Sequence, residues 1–197
     1  MVLVHGVSEH SGRYHHVAAR LVADGYAVHA VDHRGHGRSE GPRAFIDRMG
    51  NAVDDLDSLV EATTSPNSGP PVVMLGHSMG GLLAVCFALA YDKRLSGLLL
   101  SAPLAALEAA SPTTRLAARV LSVLTPRLGV VRIDSALINR NPEVVRAYDA
   151  DPLVFHGRLP ARTAFALERA VRVAAAADVG RRRGPPRHVS GRRHVRL

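Results

Sequence analysis

The chain contains no tryptophan, a single cysteine and a single lysine among its 197 residues. One cysteine, Cys86, excludes an internal disulfide framework, and its place in an apolar run predicts an inert buried thiol. Aromatic residues make up 4% of the chain, so its core must rest on Ala, Val and Leu. No run of about 18 apolar residues occurs, which argues against a membrane-spanning helix. The opening Met1-Val2-Leu3-Val4-His5-Gly6 is too short for the apolar stretch of a secretory leader and lacks its basic flank. A cytoplasmic location is therefore expected, with peripheral membrane contact left open.

Charge is abundant but unevenly placed. The formal net charge is +8, a balance that would ordinarily suggest nucleic acid or an anionic surface. Residues 180–197 hold seven arginines (Arg181, Arg182, Arg183, Arg187, Arg192, Arg193, Arg196) and no acid; without them 18 basic side chains face 17 acidic ones. The body is nearly neutral and the basicity belongs to the tail. Nucleic acid is therefore not the expected partner.

Hydrophobic periodicity predicts strands at Val2–Val4, Tyr26–Val31, Val72–Leu75 and Gly97–Ser101. Helices are expected over Arg13–Asp24, with Gly25 as C-cap, around Val53–Val60, over Leu82–Tyr91 and over Thr163–Ala177. Asp32 to Gly41 reads as a loop. Alternating strands and helices imply a mostly parallel sheet with helices on both faces. From Pro103 to about Leu159 helices and loops are expected but no strand, the form of a cap. The expected organisation is a core over residues 1–102, a helical cap over 103–159, a return helix over 160–179 and a basic tail over 180–197.

Gly76-His77-Ser78-Met79-Gly80 fits G-x-S-x-G, a strained strand-to-helix turn that presents a nucleophilic serine. Larger side chains at the glycines would collide with neighbouring elements, and the helix N-terminus adds a positive dipole where an oxyanion develops. The flanks suit the motif: Val72-Val73-Met74-Leu75 before it and Leu82-Leu83-Ala84-Val85 after it. The loop after the first strand, His5-Gly6-Val7, would supply a second oxyanion donor, so the backbone N–H groups of Val7 and Met79 are the candidates. Asp32, His33 and His36 could suggest a metal site, but the surrounding glycines and arginines favour a structural loop; no metal and no cofactor are implied.

Five ordered segments carry a resemblance. His5-Gly6-Val7-Ser8-Glu9-His10-Ser11-Gly12-Arg13-Tyr14 resembles the HGxxEHSGRY segment of monoacylglycerol lipases and lysophospholipases, and Asp32 to Ser39 resembles their DxRGHGxS loop. Gly76 to Gly81 is similar to their GHSMGG turn, Ser101-Ala102-Pro103 to the turn entering their cap, and Asp151-Pro152-Leu153 to an element late in that cap. The resemblance implies the α/β-hydrolase fold and a serine ester hydrolase acting on a small lipid ester, with Ser78 as nucleophile and an acyl-enzyme intermediate. It also implies polar substrate contacts from Glu9 and Arg13, which an ion pair anchoring the loop would explain equally well. The cap would supply an apolar acyl channel, from residues such as Leu121, Leu124 and Ile138, and contact membrane surfaces transiently. A general carboxylesterase, an aminopeptidase-like relative and a non-catalytic remnant are the alternatives.

A triad also needs a base and an acid, in this fold in the order Ser, Asp or Glu, His. No acid follows Asp178, and the histidines after the turn are His156, His188 and His194. None of them is assignable as base, so neither catalytic acid nor base is identifiable. The expectation is a fold incomplete at both ends and a weak or inactive chain. The tail is expected to be disordered or non-native. It reads either as a basic arm for nucleic acid or lipid headgroups or as out-of-frame translation of a GC-rich gene, and the abrupt loss of apolar pattern where a strand is due favours the latter.

Overall fold

The computed structural model describes residues 1–64, 71–91, 94–105 and 111–182. The expected basic tail lies, from residue 183 onward, outside the described residues.

Four strands form the main sheet: β1 (Val2–Val4), β2 (His29–Ala30), β3 (Val73–His77) and β4 (Gly97–Ser101). Their order is β2-β1-β3-β4 and every pairing is parallel. β1 is buried throughout, as a strand covered on both faces must be. The second strand is shorter than the apolar run at 26–31 suggests, because β1 offers it only Val2 and Leu3 as partners. At the other side of the sheet β4 has Leu99 and Leu100 about half exposed.

Helix α1 (His15–Ala23) follows a 3-10 turn at Ser11–Tyr14 and ends before Gly25, whose φ of 88° suits the left-handed cap. Helix α2 (Met49–Thr63) buries Met49, Ala52, Val53, Leu56 and Val60, one face at helical spacing. Helix α3 (Met79–Ala90) is central, and its Phe87 is the largest side chain that is fully buried. With so few aromatic residues, the surrounding core is built from Val2, Val4, Ile46, Leu56, Met74 and Leu83. Cys86 is only half-buried, and burial pushes its thiol pKa up.

The segment after β4 departs from the expectation of a purely helical cap. Helix α4 (Pro112–Leu124) starts with Ser111 accepting the Thr114 N–H and with proline in its first turn. Then β5 (Gly129–Arg132) pairs antiparallel with β6 (Arg158–Pro160). Between them lie a 3-10 turn at Ser135–Leu137 and helix α5 (Pro142–Asp149), capped by Asn141. The strands escaped sequence reading because each is short, one ends in proline, and neither is a strand without the other.

Helix α6 (Ala161–Arg182) runs past the expected limit at residue 179. Buried Thr163 ties it to the loop before α2: its hydroxyl accepts the Ile46 N–H at 2.9 Å and donates to the Ala44 carbonyl at 2.8 Å. Leu167 and Ala170 of α6 join the main core.

Candidate active site

Ser78 sits between the last residue of β3 and the first of α3, with φ 52° and ψ −120°. A side chain in that region costs about 1–3 kcal/mol, so neighbours must hold it. They do so through the backbone. The Ser78 N–H donates to the Ser101 carbonyl at 3.1 Å, and the Ser78 carbonyl accepts from Leu82 at 3.2 Å and Leu104 at 3.0 Å. The turn Ser101-Ala102-Pro103 at the end of β4 is thereby sewn to the serine, with Ala102 itself at φ 40°.

The glycines around Ser78 are required by contact. A Cβ on Gly76 would overlap the Gly80 carbonyl oxygen, one on Gly80 would overlap the Val4 carbonyl oxygen, and one on Gly81 would come within 2.7 Å of Pro103 Cβ. These approaches let α3 start directly over the ends of β1 and β3.

His5, Gly6 and Val7 leave β1 beside the serine. A Cβ on Gly6 would stand 3.2 Å from Ser78 Cβ, and Val7 and Ser78 line the same cavity. Met79, the first residue of α3, is fully buried. The sequence-derived trio Val7, Ser78 and Met79 is therefore brought together.

Glu9 organises this loop. Its Oε1 accepts the Gly6 N–H at 2.7 Å and the Tyr14 hydroxyl at 2.6 Å, and its Oε2 accepts Arg13 Nε at 3.2 Å. Burial, then the charge and hydrogen bond of Glu9, push the Tyr14 phenol pKa well up. The carboxylate is thus spent on the loop itself. Arg13 also stacks over the Tyr148 ring, 4.7 Å from its centroid, and both Glu9 and Arg13 border the cavity.

The cavity measures about 560 Å³, within the range of small-ligand sites. Its floor is Val7, Ser78 and Ser101; its roof includes Ile133, Ile138, Val144 and Tyr148 from the segment between β5 and β6. Of the three channel residues expected from sequence, only Ile138 lines it. Leu121 and Leu124 lie on α4 and face outward, Leu124 at 74% exposure. Tyr148 and Val144 were not singled out from sequence, although their i, i+4 spacing on α5 is a legible signal for one shared face.

Two further ties join the roof to the His5–Tyr14 segment. Phe155 N–H donates to the Ser8 carbonyl at 2.8 Å, and His10 Nε2 lies 2.8 Å from Asp151 Oδ2. Burial raises the Asp151 pKa, but its hydrogen bonds to His10 and Leu153 outweigh that and hold it below the usual carboxylate range. Asp32 behaves alike: burial is offset by hydrogen bonds from Arg38 and Ser11, and its pKa falls. The loop from 32 to 39 is in this way bound to Ser11.

Every ring-nitrogen hydrogen bond of a histidine among the described residues goes elsewhere than Ser78: to Gly6, Asp151, Arg34, Ser101, Asp151 again, or the His33 N–H. His156 bonds the Asp151 carbonyl; His188 and His194 lie outside the described residues. Among the described residues no group of three potential ligands is placed to hold a metal ion, and no helix is long and apolar enough to cross a membrane.

The family model described as "Serine aminopeptidase, S33", of hydrolase type, matches residues 1–179. A monoacylglycerol lipase of Mycolicibacterium smegmatis is 44% identical over 168 residues, which cover 85% of this chain and 60% of the relative. A monoglyceride lipase of Homo sapiens is 40% identical over 152 residues, covering 76% and 50%. Among solved structures, the monoacylglycerol lipase of Paleococcus ferrophilus superposes with a TM-score of 0.78 at 32% identity, covering 89% of this chain and 66% of that one. The chain thus spans between half and two thirds of the length of these proteins.

Proposed function

The chain belongs to the serine aminopeptidase S33 family of hydrolases and has the α/β-hydrolase fold, and from that premise we propose that it is a carboxylic ester hydrolase of monoacylglycerol lipase or lysophospholipase type, working through an acyl-enzyme on Ser78. The observation that carries this reading is Ser78 itself, held at positive φ at a strand-to-helix turn, against the Gly6–Val7 backbone, under an apolar roof. The names of the Mycolicibacterium, human and Paleococcus relatives support the substrate class.

In this reading Ser78 Oγ attacks the ester carbonyl carbon. The carbonyl oxygen becomes an oxyanion and accepts hydrogen bonds from the Val7 and Met79 N–H groups, at the positive end of α3. The carbon–oxygen bond to the alcohol breaks, the alcohol leaves with a proton, and water later releases the fatty acid from Ser78. Glu9 and Arg13 shape the polar end of the cavity, where the alcohol portion would lie. Ile138, Val144 and Tyr148 favour the acyl chain. The cap's exposed leucines on α4 suit transient contact with a lipid surface.

The first step needs a base for the Ser78 proton, and no described histidine is placed there. The proposal is therefore that this chain by itself is weak or inactive: loss of triad members leaves only donor and binding effects, about 10³–10⁴-fold over water. Two assays test the reading together. The chain is compared, on a monoacylglycerol and on short p-nitrophenyl esters, with a fusion that adds the part of the Mycolicibacterium relative that the match does not cover. Little turnover by the chain and robust turnover by the fusion, abolished by Ser78→Ala, is the expected result. Turnover of either that survives Ser78→Ala overturns the assignment of the nucleophile.

A further inference from the structure

Three histidines meet beneath the loop that presents Val7. His5 directly follows β1; His33 and His36 come from the loop at 32–39. None is more than 2% exposed. The rings of His5 and His33 are 4.2 Å apart, those of His5 and His36 5.5 Å, and those of His33 and His36 6.4 Å.

Their hydrogen bonds fix where the protons are. His5 Nδ1 lies 2.7 Å from the Gly6 carbonyl oxygen, which only accepts, so Nδ1 carries a proton. His5 Nε2 lies 2.9 Å from the His33 N–H, which only donates, so Nε2 is bare. His5 is a neutral strut between two loops. His36 Nδ1 donates to the Arg34 carbonyl at 3.0 Å, and its Nε2 is buried without a partner among the described residues. Neither ring nitrogen of His33 has a partner among the described residues.

We propose that His5, His33 and His36 form an acid-sensitive latch on the Gly6–Val7 loop, with His5 as its positioning residue: the neutral cluster holds the loop against Ser78, and proton uptake by the cluster releases it. The latch rests on the proposed function for its consequence, because Val7 is the oxyanion donor of that reading. Its own existence is a matter of backbone opening and is tested without ester hydrolysis.

The chemistry follows from the geometry. A proton added at His5 Nε2 would face the His33 N–H, donor against donor, and break the tie between the loops. A proton on His33 or His36 would put a charge in a buried site beside other imidazoles. The charged groups facing the cluster are Glu9 from the His5–Tyr14 segment, Asp32 from the 32–39 loop and Arg43 from the segment after it. Glu9 is engaged by Gly6, Arg13 and Tyr14, and Asp32 by Ser11 and Arg38. Arg43 repels a further cation and donates to the Gly37 carbonyl. Burial first, then the neighbouring histidines, hold His5 well below the ordinary imidazole range and bring His33 to about 3; burial also lowers His36.

The sign is set by those directions. A depressed pKa means the closed loop binds fewer protons than the open one. The latch is therefore complete above the ordinary value of about 6.5 and weakens as pH falls toward about 3. A histidine held as low as His33 adds, on release, about tenfold per pH unit below 6.5, or about 30-fold at pH 5.

The test is amide hydrogen exchange of the full chain between pH 7.5 and 5, with protection corrected for the intrinsic pH dependence of exchange. Protection at residues 5–8 and 33–39 should fall about 30-fold or more while α3 stays protected. His33→Phe is the informative variant, because the ring it replaces makes no hydrogen bond among the described residues. It should keep the loop closed at pH 7.5 and remove about tenfold per pH unit from the slope. Protection independent of pH in both segments, or an unchanged slope in the variant, overturns the latch. Ring NMR of the unmodified chain decides independently of how the variant folds: His33 should remain neutral to about pH 4, and titration near 6.5 in the folded chain overturns the proposal.

Discussion

Two helical glycines, Gly80 and Gly50, should respond to the same substitution with opposite signs. Glycine inside a helix is worse than alanine by about 0.8–1.0 kcal/mol, so propensity alone predicts that Gly→Ala stabilises at either site. Gly50, in the first turn of α2, has nothing within 4 Å of where a Cβ would stand. Gly50→Ala should therefore stabilise by up to about 1 kcal/mol. Gly80, in the first turn of α3, would drive its Cβ into the Val4 carbonyl and to 2.5 Å from the His5 carbonyl oxygen. Those are backbone atoms of a fully buried strand and of the buried residue after it, and they cannot rotate away. Overpacking of this kind costs about 1–3 kcal/mol and more where backbone must move; after the propensity gain, Gly80→Ala should destabilise by about 2 kcal/mol. For a chain of this size that difference is about 4–8 °C in Tm. Urea unfolding of the three proteins side by side measures it. A Gly80→Ala variant as stable as the parent, or more so, would refute the claim that close approach rather than flexibility keeps glycine at that position.

Ser78→Gly should stabilise the chain by about 1 kcal/mol, because it relieves a non-glycine residue at φ 52°, while abolishing labelling by a fluorophosphonate probe in the active fusion; a destabilised variant would contradict the strain. Glu9→Gln should lower the Tyr14 phenol pKa, since Glu9 follows burial as a cause that raises it, and should cost about 1–3 kcal/mol for the weakened charge-assisted bonds. Spectrophotometric titration of tyrosine absorbance reads the first effect, and an unmoved Tyr14 would show that burial alone sets it.

Much of the sheet could be read in advance because its signals are local. Val2–Val4 and Gly97–Ser101 are apolar runs bounded by turn residues, and the structure has strands at those same bounds. The Ser78 turn was legible because its glycines fall at fixed spacing within a few residues, although what Gly80 and Gly81 meet, Val4 and Pro103, is distant in sequence. What was not legible depends on distant partners. β5 and β6 stabilise each other from opposite ends of the 133–157 segment. The periodicity of α4 shows an apolar stripe but not which way it turns, and Leu124 turns outward. His33 and His36 read as loop residues, and only the fold brings His5 beside them. Glu9 and Arg13 could not be divided between substrate and loop by spacing; the three hydrogen bonds on Glu9 show how much of its capacity the loop takes.

The pairing of β5 with β6 closes residues 133–157 into a stem-loop whose two ends leave the body side by side. That segment supplies the cavity roof, including Ile133, Ile138 and Tyr148. A neck of this kind makes the roof an exchangeable cassette: its length and sequence can drift, or be replaced wholesale, without moving the strands or the serine turn. It meets the segment carrying Glu9 chiefly through the Ser8–Phe155 and His10–Asp151 bonds and the stacking of Arg13 on Tyr148. Lineages of this architecture can thus diversify what they accept by editing one hairpin-necked insert, and an engineer can do the same by preserving Gly129–Arg132, Arg158–Pro160 and the Asp151 and Phe155 contacts while rebuilding what lies between.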